Sequence, residues 1–236
     1  MSFIHGKNCT SLVGEFDLSG MFTNTIFVKR RQNVNTTTHG NDDMNYLSGL
    51  GEGSVSFQGL LDTAAGGSDA VLGTVADGSQ RPVTISPEGA SVIGQRALIL
   101  HGRQGAFSPR SSVADAVRLT SGQTADGGAN GGVILHPLTA RTAAASYTSV
   151  DGAASSALGL VGHLHVTAFT GTTATVKIQD SADDSIWADL VTFTAATGVT
   201  YQRSSATGTV NRYLRVDLSG TFTSITFAVA AARLLI

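Results

Sequence analysis

Cysteine occurs once, at Cys9. No intramolecular disulfide can form, and no Cys-rich zinc site can be built. As a nucleophile Cys9 would need an activating base such as the nearby His5; otherwise it is a packed or surface thiol. A chain with so little cysteine reads as one made in a reducing cytosol. Charge is also sparse. Charged residues make up 14% of the 236 positions, with Lys+Arg 15 against Asp+Glu 17. An ordinary soluble domain carries roughly 25%. The basic excess of a dedicated nucleic-acid binder is missing. No apolar run approaches the roughly 20 residues of a membrane helix; the longest, 225–236, is broken by Thr226 and Arg233. The first ten residues lack the basic start and apolar stretch of a signal peptide. No membrane partner is expected, and no export.

What is present is β texture. Thr, Val, Ser, Gly and Ala dominate, and short alternating runs are separated by Gly- and Asp-rich punctuation. The expected strands are 22–31, 53–61, 81–86, 97–102 and 132–138, then 162–169, 174–180, 188–194, 200–203, 213–217 and 224–231. Over 174–180, Val176 and Ile178 share one face, while Thr175, Lys177 and Gln179 share the other. Turns are expected at Asp126-Gly127-Gly128 and Asn130-Gly131-Gly132, among others. Ser68, Asp69 and the apolar Val71, Leu72 and Val75 predict a short helix over 68–76. A second helix is conceivable over 112–119. The Ala-, Ser- and Thr-rich stretch 139–156 reads as a linker, dividing the chain into 1–140 and 141–236. Asp17-Leu18-Ser19-Gly20 is echoed by Asp217-Leu218-Ser219-Gly220, and both read as turns feeding a strand.

The search for chemistry yields little. His163 and His165 would share a strand face, either beginning a metal site or facing water or a neighbouring subunit. Asp180, Asp183, Asp184 and Asp189 surround Trp187. Such carboxylates serve glycoside chemistry or calcium, but an acidic turn capping backbone N–H groups, anchored by Trp187, is the simpler reading. Around Gly49, Gly51 and Gly53, Glu52 stands where a phosphate loop needs lysine, and a strand follows instead of a helix. No Gly-x-Ser-x-Gly elbow precedes a helix. Lys29, Arg30 and Arg31 form the one basic run, read as a strand end that makes contacts. No catalytic residue, metal or cofactor is implied, and an enzyme is not expected.

The order of the segments carries a resemblance. Asp17-Leu18-Ser19-Gly20 feeds a strand ending in Lys29-Arg30-Arg31. A polar Asn- and Thr-rich loop follows and closes on Tyr46-Leu47-Ser48-Gly49-Leu50; then come the 53–62 strand, the short helix, Pro82-Val83-Thr84-Ile85, Arg96-Ala97-Leu98-Ile99-Leu100 and Gly131-Gly132-Val133-Ile134-Leu135-His136. Gln179 to Asp184, Trp187, Gln202-Arg203, 208–215 and Phe227-Ala228-Val229 continue it. Over most of its length the chain resembles the major tail protein, or tail tube protein, of long-tailed, siphovirus-type bacteriophages.

That resemblance implies a mainly β fold, a tail-tube-type β-sandwich or barrel with one flanking helix, followed by a C-terminal β unit that is an outer sandwich or part of the tube wall. It implies homo-oligomeric rings, hexameric in the family, stacked into a tube in the virion tail. The implied partners are a tape-measure protein, tail terminator and baseplate proteins, and double-stranded DNA passing through during genome ejection. The polar loop is expected to reach the adjacent ring through Asn33, Val34, Asn35, Thr36, His39, Asn41, Asp42, Asp43 and Tyr46, together with an N-terminal arm over 1–14. With few apolar residues, the loop over 32–46 should not fold by itself. A conduit for a polyphosphate should be neutral or acidic on its lumen face, because Lys and Arg contacts create binding by counterion release. The competing readings are a β-sandwich adhesin, a capsid decoration or receptor-binding protein, and a carbohydrate-active enzyme built on the 180–189 carboxylates.

Overall fold

A computed structural model describes residues 6–73 and 78–234. The chain is mainly β, with the strands β1 (Thr10–Val13), β2 (Phe16–Asp17), β3 (Phe22–Asn35), β4 (Tyr46–Leu60), β5 (Gln80–Ser86), β6 (Arg96–Ser112), β7 (Asp115–Arg141), β8 (Ala145–Ser146), β9 (Val150–Asp151), β10 (Leu160–Ser181), β11 (Ala188–Thr192), β12 (Thr200–Ala206) and β13 (Tyr213–Arg233). A single short α-helix among the described residues, α1 (Ser68–Leu72), follows β4, and a 3-10 turn over Gly6–Asn8 precedes β1. Ser68 ties its start to the end of that strand, accepting from Asp62 N and donating to Leu60 O. The rest of the expected helix, 74–77, lies outside the described residues.

Every strand pairing is antiparallel, and the main path runs β11-β10-β13-β7-β6-β5-β1-β2. β7 changes partner along its length. Its first part lies between β6 and β4, over Arg118–Thr124; its last part pairs β13, over Val133–Arg141. Asp126-Gly127-Gly128 and Asn130-Gly131-Gly132 are therefore not turns. They lie inside β7, with Gly127 and Gly128 at positive φ, where the strand leaves one partner for the other. The 112–119 segment is not a helix either. It holds the tight turn of the β6–β7 hairpin, closed where Ser112 pairs Asp115, and the first residues of β7.

β10 and β13 form a two-stranded ribbon folded double. An extended strand the length of β10 would span about 70 Å. Yet a Cβ placed on Gly162 would stand 2.6 Å from Ile178 Cδ1 and 3.2 Å from Phe193 Cζ. The fold falls where the register shifts three times between Val166 and Thr173. Gly171 (φ 151) and Gly220 (φ 127) supply the bend, each pressed so closely on the opposite backbone that no side chain fits. Asp217-Leu218-Ser219-Gly220 therefore sits within β13 at this bend, and is not a turn feeding a strand as Asp17-Leu18-Ser19-Gly20 is. Between the halves lies a core of Leu160, Leu164, Val176, Ile178, Phe193, Val216 and Phe227. Gly162→Val should overpack that core and lower stability by about 2–3 kcal/mol, read as a reduced urea midpoint with an unchanged slope.

A second core, of Val13, Val55, Phe57, Leu72, Val83, Leu100 and Leu119, closes β1, β5 and β6 onto β4, β7 and α1. A third, of Ala97, Ile99, Ile134, Val161, Ala230 and Ala232, joins the two. The first half of β10 is thus buried on both faces. Leu160 and Leu164 point into the folded ribbon and Val161 toward β6.

Candidate assembly surface

β3, β4, β7 and β6 lie side by side as a four-stranded sheet with one covered and one bare face. Val55, Phe57, Leu119, Ser121 and Gln123 are buried on the covered face. The alternate residues form the bare face: Asn24, Ile26, Val28 and Arg30 of β3; Glu52, Ser54, Ser56, Gln58 and Leu60 of β4; Arg118, Thr120, Gly122, Thr124 and Asp126 of β7; Arg103, Ala106, Ser108 and Arg110 of β6. Hydroxyls, amides and small groups fill most of its middle, Ile26 and Val28 lie along its β3 side, and charges sit toward its ends. Three arginines there meet carboxylates: Arg30 with Glu52, Arg118 with Asp115 at 3.0 Å, and Arg103 with Asp126 at 3.5 Å. Arg118 holds Asp115 below the usual carboxylate range, by donating to it and through its charge. With four arginines against three carboxylates, the face is near neutral, slightly basic rather than acidic.

Among the described residues, no strand pairs the outer edge of the 14 residues of β3, which pairs β4 alone. β5 leaves β6 at Arg103, and among the described residues no strand pairs the edge of 104–112. Unpaired edges of this length invite another chain unless they are guarded. Pro109 and register shifts at Gln104/Ala106 and Arg110/Ser112 limit the β6 edge.

The loop expected over 32–46 is strand at its two ends, 32–35 and Tyr46, and a loop between them over 36–45. β3 continues through Asn33, Val34 and Asn35, which pair Ser48, Leu47 and Tyr46. Lys29, Arg30 and Arg31 lie in mid-strand, not at a strand end. The tip holds itself together: Thr36 N donates to Asn45 O, Thr37 N to Asn35 Oδ1, and Thr38 N to Asn41 Oδ1. Hydrogen bonding within the hairpin replaces the apolar burial that the segment lacks. His39, Asn41, Asp42 and Asp43 are exposed at this tip. β4 meets β7 only from Ser54 onward, so 46–53 carries the hairpin about 25 Å past that pairing. The projecting part bears Val34, Met44, Tyr46, Leu47 and Leu50, all roughly half exposed or more, with Leu50 at 81%. Thr10–Val13 of the expected N-terminal arm are strand β1, paired with β5, with Ser11, Leu12 and Val13 buried. Residues 1–5 of that arm, and His5 with them, lie outside the described residues.

His163 and His165 do not face water. Both are buried where the folded ribbon lies on β5 and the β1–β2 turn. Thr84 Oγ1 stands 2.8 Å from His165 Nε2 and 3.4 Å from His163 Nδ1, and His165 Nδ1 stands 2.6 Å from Gly14 O. Donation to that carbonyl requires the proton on Nδ1, leaving Nε2 to accept from Thr84. Burial pushes His165 down to about 4. It drives His163 well below the ordinary value too, helped by His165, Arg203 and His101. His136 is also buried, stacked on Phe227 at 4.0 Å with Arg141 Nε donating to its Nε2, and burial followed by the Arg141 charge brings it to about 4.

The 180–189 carboxylates do not converge. Buried Asp180 accepts from Asn211 N. Asp183 caps Ser185 N and Ile186 N, which hold it far below the carboxylate range. Asp189 takes Lys177 and Gln179. Asp184 is exposed at φ 60. Trp187 is half-buried with the Arg215 guanidinium 4.2 Å over its ring, which fits an anchor for an acidic turn. Among the described residues, no three His, Cys, Asp or Glu side chains group as a metal site requires. Cys9 is partly buried and its thiol is pushed up by desolvation, away from the nucleophilic thiolate. No helix among the described residues is long and apolar enough to cross a membrane.

No family model and no curated protein matches the chain. Among solved structures, it is similar to a chain of the virion of a native gene transfer agent particle, with 13% identity and TM-score 0.43 over 54% of this chain and 97% of the other. A chain from the tail of an empty gene transfer agent particle, refined with C6 symmetry, gives 14% identity and TM-score 0.44 over the same shares. The Dit protein of SPP1, described as a hub of the adsorption apparatus in phages infecting Gram-positive bacteria, gives 14% and 0.39 over 96% of this chain and 99% of its own.

Proposed function

We propose that the chain is a structural protein that assembles with copies of itself, joining the β3 edge of one copy to the β6 edge of the next. The observation that carries this reading is the four-stranded sheet with two open edges and one bare polar face. Alternating antiparallel pairing makes β3 run opposite to β6. A β3–β6 seam between copies therefore continues the same antiparallel ladder. The two edges are different surfaces, so the contact is head-to-tail, and with a rotation that closes it makes a ring. The ring leaves neither side edge of this four-stranded sheet exposed. Each copy contributes four strands to the wall, with its covered face and the folded ribbon outside and the bare face inside.

More particularly, the protein is the tail tube subunit of a long-tailed phage, as the order of its sequence segments suggests. Six copies give a barrel of about 24 strands. Barrels of roughly 16–18 strands already hold a water-filled channel, so this one leaves room for a tape-measure protein and then for double-stranded DNA. The β3–β4 hairpin, with its apolar tip, reaches the next ring and stacks the rings into a tube.

Cysteine pairs across the seam test this reading. In a Cys9→Ser background, Asn24, Ile26 or Val28 is changed to Cys together with Ala106 or Ser108. Oxidation should give a ladder of linked oligomers on a denaturing gel from at least one pair, and none from single variants. Absence of a ladder from every pair, with the protein monomeric at high concentration, would refute the ring. Discrete trimers in negative-stain images would point instead to a fibre or decoration protein.

A further inference from the structure

The cationic groups of the bare sheet face come with their own counter-charges. Glu52 sits directly across from Arg30 in the β3–β4 register, and the two side chains pair. Asp126 takes Arg103 from β6 and an amide hydrogen from Gln80 of β5. Asp115, at the β6–β7 turn, accepts from Arg118 Nε and from Ala116 N. Among the described residues, Arg110 is the one arginine of this face with no carboxylate partner. These pairs are solvent-exposed, with side chains between 39% and 71% accessible. Exposed pairs of this kind contribute little to folding. Stability is therefore a weak reason for placing three of them on one face.

Their larger consequence is for a passing polyanion. A free guanidinium forms bidentate contacts with phosphate and releases counterions as it does so. A guanidinium already facing a carboxylate must break that pair, and leaves an unpaired carboxylate beside the phosphate. The middle of the face, with Ser54, Ser56, Ser108, Thr120 and Thr124, carries no charge at all.

We propose that Glu52, Asp126 and Asp115 are internal phosphate mimics that keep Arg30, Arg103 and Arg118 from holding double-stranded nucleic acid on this face. The proposal rests on the reading of the face as a channel wall, and it makes that wall non-adhesive by pairing rather than by an excess of negative charge. Lys29 and Arg31 lie on the opposite side of the hairpin. They contribute the same background to every variant compared.

The test uses a short DNA duplex and the purified protein, with binding measured by anisotropy across salt. The variant Glu52→Gln/Asp115→Asn/Asp126→Asn should bind the duplex at least about tenfold tighter than the parent at low salt. Its plot of log affinity against log salt should steepen by about two to three, because each uncovered arginine adds close to one unit. Adding Arg30→Gln, Arg103→Gln and Arg118→Gln should return both values to those of the parent. Thermal melting of each variant confirms that it is folded. A folded triple variant with the parent's affinity and slope would overturn the proposal. Electron microscopy of the same samples scores assembly separately. Rings without a gain in DNA binding would remove this inference alone, and a gain in DNA binding without rings would remove the tube reading alone.

Discussion

Deleting residues 34–43 should leave a folded, soluble subunit that makes no tubes. The segment spans the end of β3 and most of the hairpin tip, and its contacts stay within the hairpin. Its hydrogen bonds run between 35 and 45, and Val34 pairs Leu47. None of the residues removed belongs to the three cores. The melting temperature should therefore move little. What disappears is Val34, together with the strand end and turn that pair and hold Tyr46 and Leu47 in the projecting apolar tip. Burial of such side chains against another ring is worth about 1.5–3 kcal/mol each, repeated for every copy around the ring. Sedimentation should show tubes with the parent protein and single rings or subunits with the deletion. Tubes of normal length would dismiss the hairpin as the inter-ring contact. The double variant Val34→Asp/Leu47→Asp, which keeps the chain length, should give the same loss if the apolar tip is what matters.

Acid should unfold the protein through its buried histidines. His165 and His136 have native values of about 4, below the ordinary 6.5, and His163 is shifted in the same direction. A base whose native pKa is lowered is neutral when folded and takes up its proton more readily when unfolded. Above pH 6.5 both states are neutral, and the groups have no effect on stability. As the pH falls from 6.5 toward 4, the unfolded state gains protons that the native state refuses, and stability drops. At pH 5 the loss is about 2 kcal/mol for each of His165 and His136, and His163 adds to it in the same direction. Urea midpoints should fall steeply between pH 7 and pH 5, and His165→Gln should flatten that slope. Equal stability at the two pH values would contradict the buried, neutral state of these rings.

Much of the strand pattern was legible in the residues, because one-sided burial writes itself as alternation. Val176 and Ile178 inward with Lys177 and Gln179 outward is how β10 lies in its second half. The first half was misread for a related reason. In Val161-Gly162-His163-Leu164-His165, His163 and His165 share one side and look like a wet face. They are covered because a third layer, β5 and the turn before β2, lies over them. Nothing local announces such a layer. Glycine misled in the same way. At 126–132 it looked like punctuation, whereas positive φ inside a strand marks a bulge where β7 changes partner. The polar loop was located correctly but was expected to lack structure of its own. Backbone pairing and short side-chain bonds, which leave little trace in composition, order it. Most of the bare face was not identified in advance. Its residues come from four segments, and their common exposure depends on registers that only the folded sheet defines.

β7 has a mechanical consequence. It is hydrogen-bonded to β4 and β6 at one end and to β13 at the other, so the two halves of the molecule share a backbone ladder instead of a tether. In the proposed tube, load applied to the four-stranded sheet would reach the folded ribbon as shear along that ladder, spread over many bonds at once. The ribbon would then act as a stiffening rib, moving with the wall and not swinging from it.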